Sequence, residues 1–109
     1  MPQFVLSPEA KEDLREIRDY LVGEGGRRLA RSVIREMTGA LRLLASHPEI
    51  GHFRRDLTSF PVKFWSVFSY LIVYDPAARP IAIVRVLHGR RDVETMLRRD
   101  TPRGGAGTS

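Results

Sequence analysis

Apolar residues recur at helical spacing in two stretches of the first half of the chain. The first stripe consists of Ala10, Leu14, Ile17 and Leu21. Ser7 and Pro8 precede it, and both are typical of a helix start, because serine caps free N–H groups and proline suits the first turn. A second stripe predicts a helix over residues 27–46, and the glycine-rich residues 23–26 predict a turn between the two. The pattern therefore predicts a helical hairpin, preceded by a short strand over residues 4–6.

The second half of the chain has strand composition. Six of the nine aromatic residues fall between Phe60 and Tyr74, with β-branched residues among them. Strands are predicted over residues 62–67, 70–75 and 81–87, and the short turns between them favour antiparallel pairing. Residues 92–99 fit a short final helix. The order β-α-α-β-β-β predicts an α+β fold, with a helical hairpin packed on a small antiparallel sheet.

The composition is that of one small domain. Of the 109 residues, 42% are apolar and 28% are charged, so residues 1–99 are interpreted as the domain and the glycine-rich residues 100–109 as a disordered tail. Cysteine is absent, which excludes disulfides and a cysteine nucleophile, and His47, His52 and His88 lack metal-site spacing. No apolar run approaches the ~20 residues of a membrane span. We expect no metal, no cofactor, no membrane partner and a cytoplasmic location.

The charge is strongly basic and is carried almost entirely by arginine. The net charge is +5, and Lys11 and Lys63 are the only lysines among 18 basic residues. Arginine forms forked bonds to phosphates and carboxylates, so this composition favours an anionic partner, either nucleic acid or an acidic protein segment. The alternative is that the arginines reflect the codon usage of a GC-rich genome.

Alternation along the strands places apolar residues on both faces of the sheet. One face of the last strand carries Ala82, Val84 and Val86, and the other carries Ile81, Ile83, Arg85 and Leu87. A single helical hairpin covers only one face. We therefore expect the second face to be an exposed apolar patch with Arg85 at its centre, of the kind that marks an interaction site.

Several segments together resemble the RelE/ParE superfamily of bacterial type II toxins, and the ParE branch most closely. These segments are Leu6–Ala10, Ala45–Gly51, Ser59–Val62, Tyr70–Tyr74 and Val84–Asp92. The most specific piece is the stretch from Arg85 to Asp92, and the resemblance covers residues 4–97 in the order and spacing of the family. It implies a toxin that poisons DNA gyrase and that a cognate antitoxin, ParD-like or of another type II family, neutralises in a hetero-oligomeric complex.

The resemblance also implies two alternatives. RelE-like relatives cut mRNA in the ribosome, and the ribonuclease candidates here are Arg85, His88 and Lys63, which would supply cations and an acid or base. Such nucleases usually carry a tyrosine or histidine after the last strand, and residues 92–109 contain neither. We therefore predict no catalytic residues and interpret His88 as a strand-end residue. The second alternative is an inactive relative that only binds antitoxin.

Binding residues follow from the same resemblance. Arg90, Arg91 and Trp65 are predicted to contact the target, since the two arginines follow Gly89 in a turn. An acidic, amphipathic antitoxin segment is predicted to lie across the open sheet face. The residues predicted to bind it are Arg85, Ile81, Ile83, Leu87, Tyr70 and Ile72.

Overall fold

A computed structural model describes residues 3–89 and Asp92 and confirms the α+β class. The elements are strand β1 (Phe4–Leu6), helix α1 (Pro8–Ser46), a 3-10 turn (Pro48–Ile50), and strands β2 (His52–Phe53), β3 (Lys63–Val67), β4 (Tyr70–Asp75) and β5 (Ile81–His88). Apart from Asp92, the predicted final helix lies outside the described residues, as does the tail of residues 100–109.

Helix α1 consists of two arms that meet at Gly26. The Ser7 hydroxyl accepts the Ala10 N–H at 2.9 Å and donates to the Val84 carbonyl at 2.7 Å, so the predicted cap also ties the helix start to β5. Gly26 has φ 85° and ψ −179°, a conformation that glycine adopts readily and that residues with a side chain rarely adopt. The predicted hairpin turn over residues 23–26 is wrong in extent, because Gly23 and Gly25 continue the helix and the break is one residue.

The sheet has five strands in the order β1-β5-β4-β3-β2. Strands β3, β4 and β5 pair antiparallel, as predicted for strands joined by short turns. Strand β2 was not predicted, and it pairs antiparallel with β3. The expectation of a wholly antiparallel sheet is wrong, because β1 pairs parallel with β5, Phe4 opposite Ile81 and Leu6 opposite Ile83. A short turn makes two consecutive strands antiparallel. Strands β1 and β5 are far apart in the sequence, so no turn length determines their relative direction.

The predicted open apolar face is absent from the part of the chain that the structure describes. Between Tyr74 opposite Ile83 and Val73 opposite Arg85, β5 contains one extra residue, Val84, and this bulge interrupts the simple alternation. Buried side chains under helix α1 come from both sides of the bulge and from the neighbouring strand: Tyr70, Ile72, Ile81, Ile83 and Val86.

The opposite face of the sheet is covered as well. A second buried cluster there consists of Phe64, Val73 and Leu87, with Leu57 and Val62 of the β2–β3 segment packed against it. Leu87 therefore lies on a different face from Ile81 and Ile83. Both faces are covered within the described residues, and the five apolar or aromatic side chains predicted for antitoxin binding are buried.

Tyr74 joins the sheet to the turn after helix α1. Its hydroxyl donates to the Pro48 carbonyl at 2.7 Å and accepts the Gly51 N–H at 3.0 Å. A Cβ at residue 51 would overlap the Tyr74 ring, so glycine is needed for this close approach. Burial raises the pKa of Tyr74 above its ordinary value of 10.0, and nearby Glu49 acts in the same direction, against the lowering effect of the Gly51 N–H.

Replacing Tyr74 by phenylalanine should lower the free energy of unfolding by about 1–3 kcal/mol, because the Pro48 carbonyl and Gly51 N–H lose their partner. The raised pKa means that the folded state holds the phenol proton more tightly than the unfolded state. The stabilisation is therefore complete below pH ~10 and is lost as the pH rises further. In urea titrations, the difference in the free energy of unfolding between wild type and Tyr74→Phe should become smaller above pH ~10. A difference that stays constant with pH would contradict this account.

Candidate functional site

A buried ion pair joins the first arm of helix α1 to strand β5. The Arg85 guanidinium donates from Nε and Nη2 to the two carboxylate oxygens of Asp13, at 2.8 and 2.9 Å. The Val86 N–H also donates to Asp13, at 2.9 Å. Only 10% of the Arg85 side chain and 11% of the Asp13 side chain are exposed. Arg85 is thus engaged inside the molecule, and its predicted place at the centre of an open face is wrong.

Asp13 was not singled out from the sequence, although a signal for it exists. It lies three residues after Ala10 and four before Ile17, two residues of the buried helical stripe. A carboxylate at such a position points toward the core, where a charge is retained only with a partner. The partner is 72 residues away in the chain.

His88 ends strand β5 among aromatic rings. Its ring centroid lies 4.8 Å from that of Tyr70 and 6.2 Å from that of Tyr20, and these residues line a hollow together with Glu16. Burial, and then the charge of Tyr20, raise the pKa of Tyr70 above 10.0. The Tyr70 phenol is therefore neutral near pH 7 and is not poised to act as a base.

The three ribonuclease candidates do not form one site. Lys63 is opposite Tyr74 and His88 is opposite Tyr70, so four residues of strand β4, about 13 Å, separate their backbones. Lys63 Nζ instead donates to the Glu49 carbonyl at 2.9 Å and lies 5.0 Å from the centroid of the Phe53 ring. With Arg85 held by Asp13, these side chains are not arranged around one phosphate.

The predicted target-binding residues are only partly described. Trp65 is half-buried and packs against the cluster under helix α1, opposite Ile72 on the neighbouring strand. Its indole is therefore part of the helix–sheet packing rather than a free surface ring. Arg90 and Arg91 lie outside the described residues, and their role stays a prediction.

A groove rimmed by arginines lies between the two arms of helix α1. Val22, Ala30 and Ile34 form its apolar wall, and Val22 is 39% exposed. Four cations complete the lining of this inter-arm groove: Arg18, Arg27, Arg31 and Arg35. Arg18 pairs with Asp19 at 3.1 Å, but no carboxylate lines the groove itself within the described part of the chain. The groove combines an apolar wall with positive charge, so it suits a ligand that is both apolar and anionic.

Residues 3–89 and Asp92 form neither a metal site nor a membrane-spanning helix. No group of three or more histidine, aspartate or glutamate side chains there could hold a metal ion. No helix in the same part of the chain is long and apolar enough to span a bilayer.

Comparisons with known proteins identify a family. The model of the ParE toxin of type II toxin–antitoxin systems matches residues 4–93. A solved structure described as the chromosomal ParDE TA system from P. aeruginosa has a chain that is similar with a TM-score of 0.67 and 18% identity. That match covers 80% of this chain and 95% of the other, and at this identity it shows a shared fold. No curated protein sequence matches significantly.

Proposed function

This chain belongs to the family of ParE toxins of type II toxin–antitoxin systems, and we propose that it poisons DNA gyrase by binding. In the same proposal it acts in the bacterial cytoplasm, where a cognate antitoxin holds it in an inactive hetero-oligomer. The family match over residues 4–93 carries the proposal.

The geometry of the ribonuclease candidates favours binding over catalysis. Cleavage of RNA needs a base and an acid on opposite sides of one phosphate, with cations that stabilise the developing charge. Here Lys63 and His88 sit at opposite ends of strand β4, and Arg85 is neutralised by Asp13 at 2.8 Å. The Tyr70 phenol, whose pKa is raised by burial, does not replace the missing base.

Purified protein should inhibit the supercoiling of relaxed plasmid by DNA gyrase, and its expression without antitoxin should arrest growth with filamentous cells. The control is His88→Ala, which should inhibit gyrase within about twofold of wild type, because the imidazole performs no chemistry in this proposal. Cleavage of mRNA at translated codons, abolished in His88→Ala, would instead establish a RelE-type nuclease. A wild type without toxicity in the bacterial host would indicate an inactive, antitoxin-binding relative.

We further propose that the antitoxin binds the inter-arm groove. An amphipathic helix places apolar side chains on one face and charges beside them, which matches a wall of Val22, Ala30 and Ile34 between rows of arginine. Carboxylates on the bound segment would pair with the guanidinium groups in forked geometry. The neighbouring sheet faces are covered by helix α1 and by the β2–β3 segment, whereas this groove is open and lined by four arginines.

A further inference from the structure

Phe68 lies at the tip of the β3–β4 hairpin in an unusual conformation. Val67 pairs with Tyr70, so Phe68 and Ser69 form a two-residue turn. The backbone φ of Phe68 is 56°, and it is the one positive-φ residue other than glycine in the described chain. The residue is 64% exposed, more than any other large apolar residue described.

The fold itself does not explain a phenylalanine at this position. A two-residue hairpin loop with positive φ at its first central residue alone has the sign pattern of a type II′ turn, which has glycine there. A bulky residue in this region is strained, and a residue that is 64% exposed recovers little of that strain by packing. Glycine would satisfy the turn better, so the geometry of the turn does not account for the ring.

The surroundings of Phe68 are partly apolar and partly polar. A hollow beside the ring is lined by Leu57, Leu71 and Ser66. Its one cation among the described residues is Arg54, and two hydrogen bonds of 2.9 and 2.7 Å pair that guanidinium with Asp56. A phosphate backbone would find no unpaired charge among these lining residues, whereas a protein surface with an apolar pocket fits them.

The hairpin tip is joined to the end of strand β5. The Gly89 N–H donates to the Ser69 carbonyl at 3.1 Å, so the residue that precedes the Arg90-Arg91 pair in the sequence is held beside Phe68. The inter-arm groove proposed for the antitoxin involves only helix α1 residues and shares no residue with this tip. The hairpin tip and the proposed antitoxin site are therefore separate surfaces, and the tip is available to a different partner.

We propose that Phe68 is the anchor by which this chain engages its protein target, its ring entering an apolar pocket of that protein. The strained turn presents the ring at the end of a stiff hairpin, and a central aromatic anchor of this kind dominates the energetics of many interfaces. The proposal rests on the assignment of the chain as a toxin, but not on gyrase being the target.

The test compares Phe68→Gly with Phe53→Ala, which removes another exposed aromatic residue, 45% exposed. Phe68→Gly should raise the concentration for half-inhibition of gyrase by about 30-fold or more. Its thermal midpoint should equal or exceed that of wild type, and its affinity for the cognate antitoxin should stay within twofold. Phe53→Ala should inhibit like wild type. If wild type arrests growth but spares gyrase, growth arrest becomes the readout, and only the gyrase assignment fails.

Any of the following outcomes would contradict the proposed role of Phe68 as an anchor. Undiminished toxicity of Phe68→Gly would show that the ring is not needed, and a lower thermal midpoint would show that it is structural. Lost antitoxin affinity with retained toxicity would assign the ring to the antitoxin interface. Weaker binding to single-stranded DNA, with unchanged binding to gyrase, would assign it to base stacking.

Discussion

Replacing Asp13 by asparagine should lower the free energy of unfolding by about 3–5 kcal/mol, because it leaves the buried Arg85 guanidinium without its counter-charge. The substitution keeps the size of the side chain, removes its charge and replaces one acceptor oxygen by an N–H₂ donor. The Asp13 carboxylate also accepts the Val86 N–H at 2.9 Å, so β5 loses part of its attachment to helix α1. A domain of this size has a total stability of roughly 5–15 kcal/mol, and the variant should be partly unfolded at 37 °C.

Urea unfolding followed by circular dichroism measures this effect, and Glu12→Gln is the matched control. Glu12 lies one residue earlier and pairs with Arg15 at 2.7 Å, but 53% of its side chain is exposed, so its loss should cost less than about 1 kcal/mol. Equal stability of Asp13→Asn and Glu12→Gln would contradict the burial of the pair. The same geometry predicts that Arg85→Glu unfolds the chain, since two carboxylates would then meet inside it.

Reversing two charges on the rim of the inter-arm groove, Arg27→Glu with Arg31→Glu, should weaken antitoxin binding by about 100-fold or more. Both arginines line the groove, and an acidic segment would then meet like charges at close range, which costs several kcal/mol. Binding of the wild type should also weaken with added salt, and the double variant should lose most of that dependence.

The control is Arg28→Glu with Arg42→Glu, which changes the net charge from +5 to +1 in the same way. Arg28 and Arg42 are exposed and do not line the groove. Isothermal titration calorimetry with the purified cognate antitoxin should show that the affinity of the control variant is within about threefold of that of wild type. Equal losses in the two double variants would mean that net charge, rather than the groove, attracts the antitoxin.

Local patterns in the sequence predicted the elements well. Strand β4 was predicted at its observed bounds, and β3 and β5 within one residue at one end, because strand composition and turn residues act over short distances. The Ser7 cap and the end of helix α1 at Ser46 were likewise local, since capping and the proline at residue 48 involve neighbouring residues. The family resemblance was also carried by short segments, and the match over residues 4–93 confirms it.

The tertiary structure decided which surfaces are available. The bulge at Val84 changed which side chains of β5 lie under the helix, and an alternation pattern carries no mark of one inserted residue. The pairing of Asp13 with Arg85 across 72 residues depends on how helix α1 lies on the sheet, so the sequence alone presented Arg85 as free. Phe68 was predicted to lie in the tight connection between β3 and β4, but its φ of 56° and its exposure are visible only in the structure. Hydrophobic periodicity and composition depend on residues that are neighbours in sequence. Burial and backbone strain depend on residues that are neighbours in space.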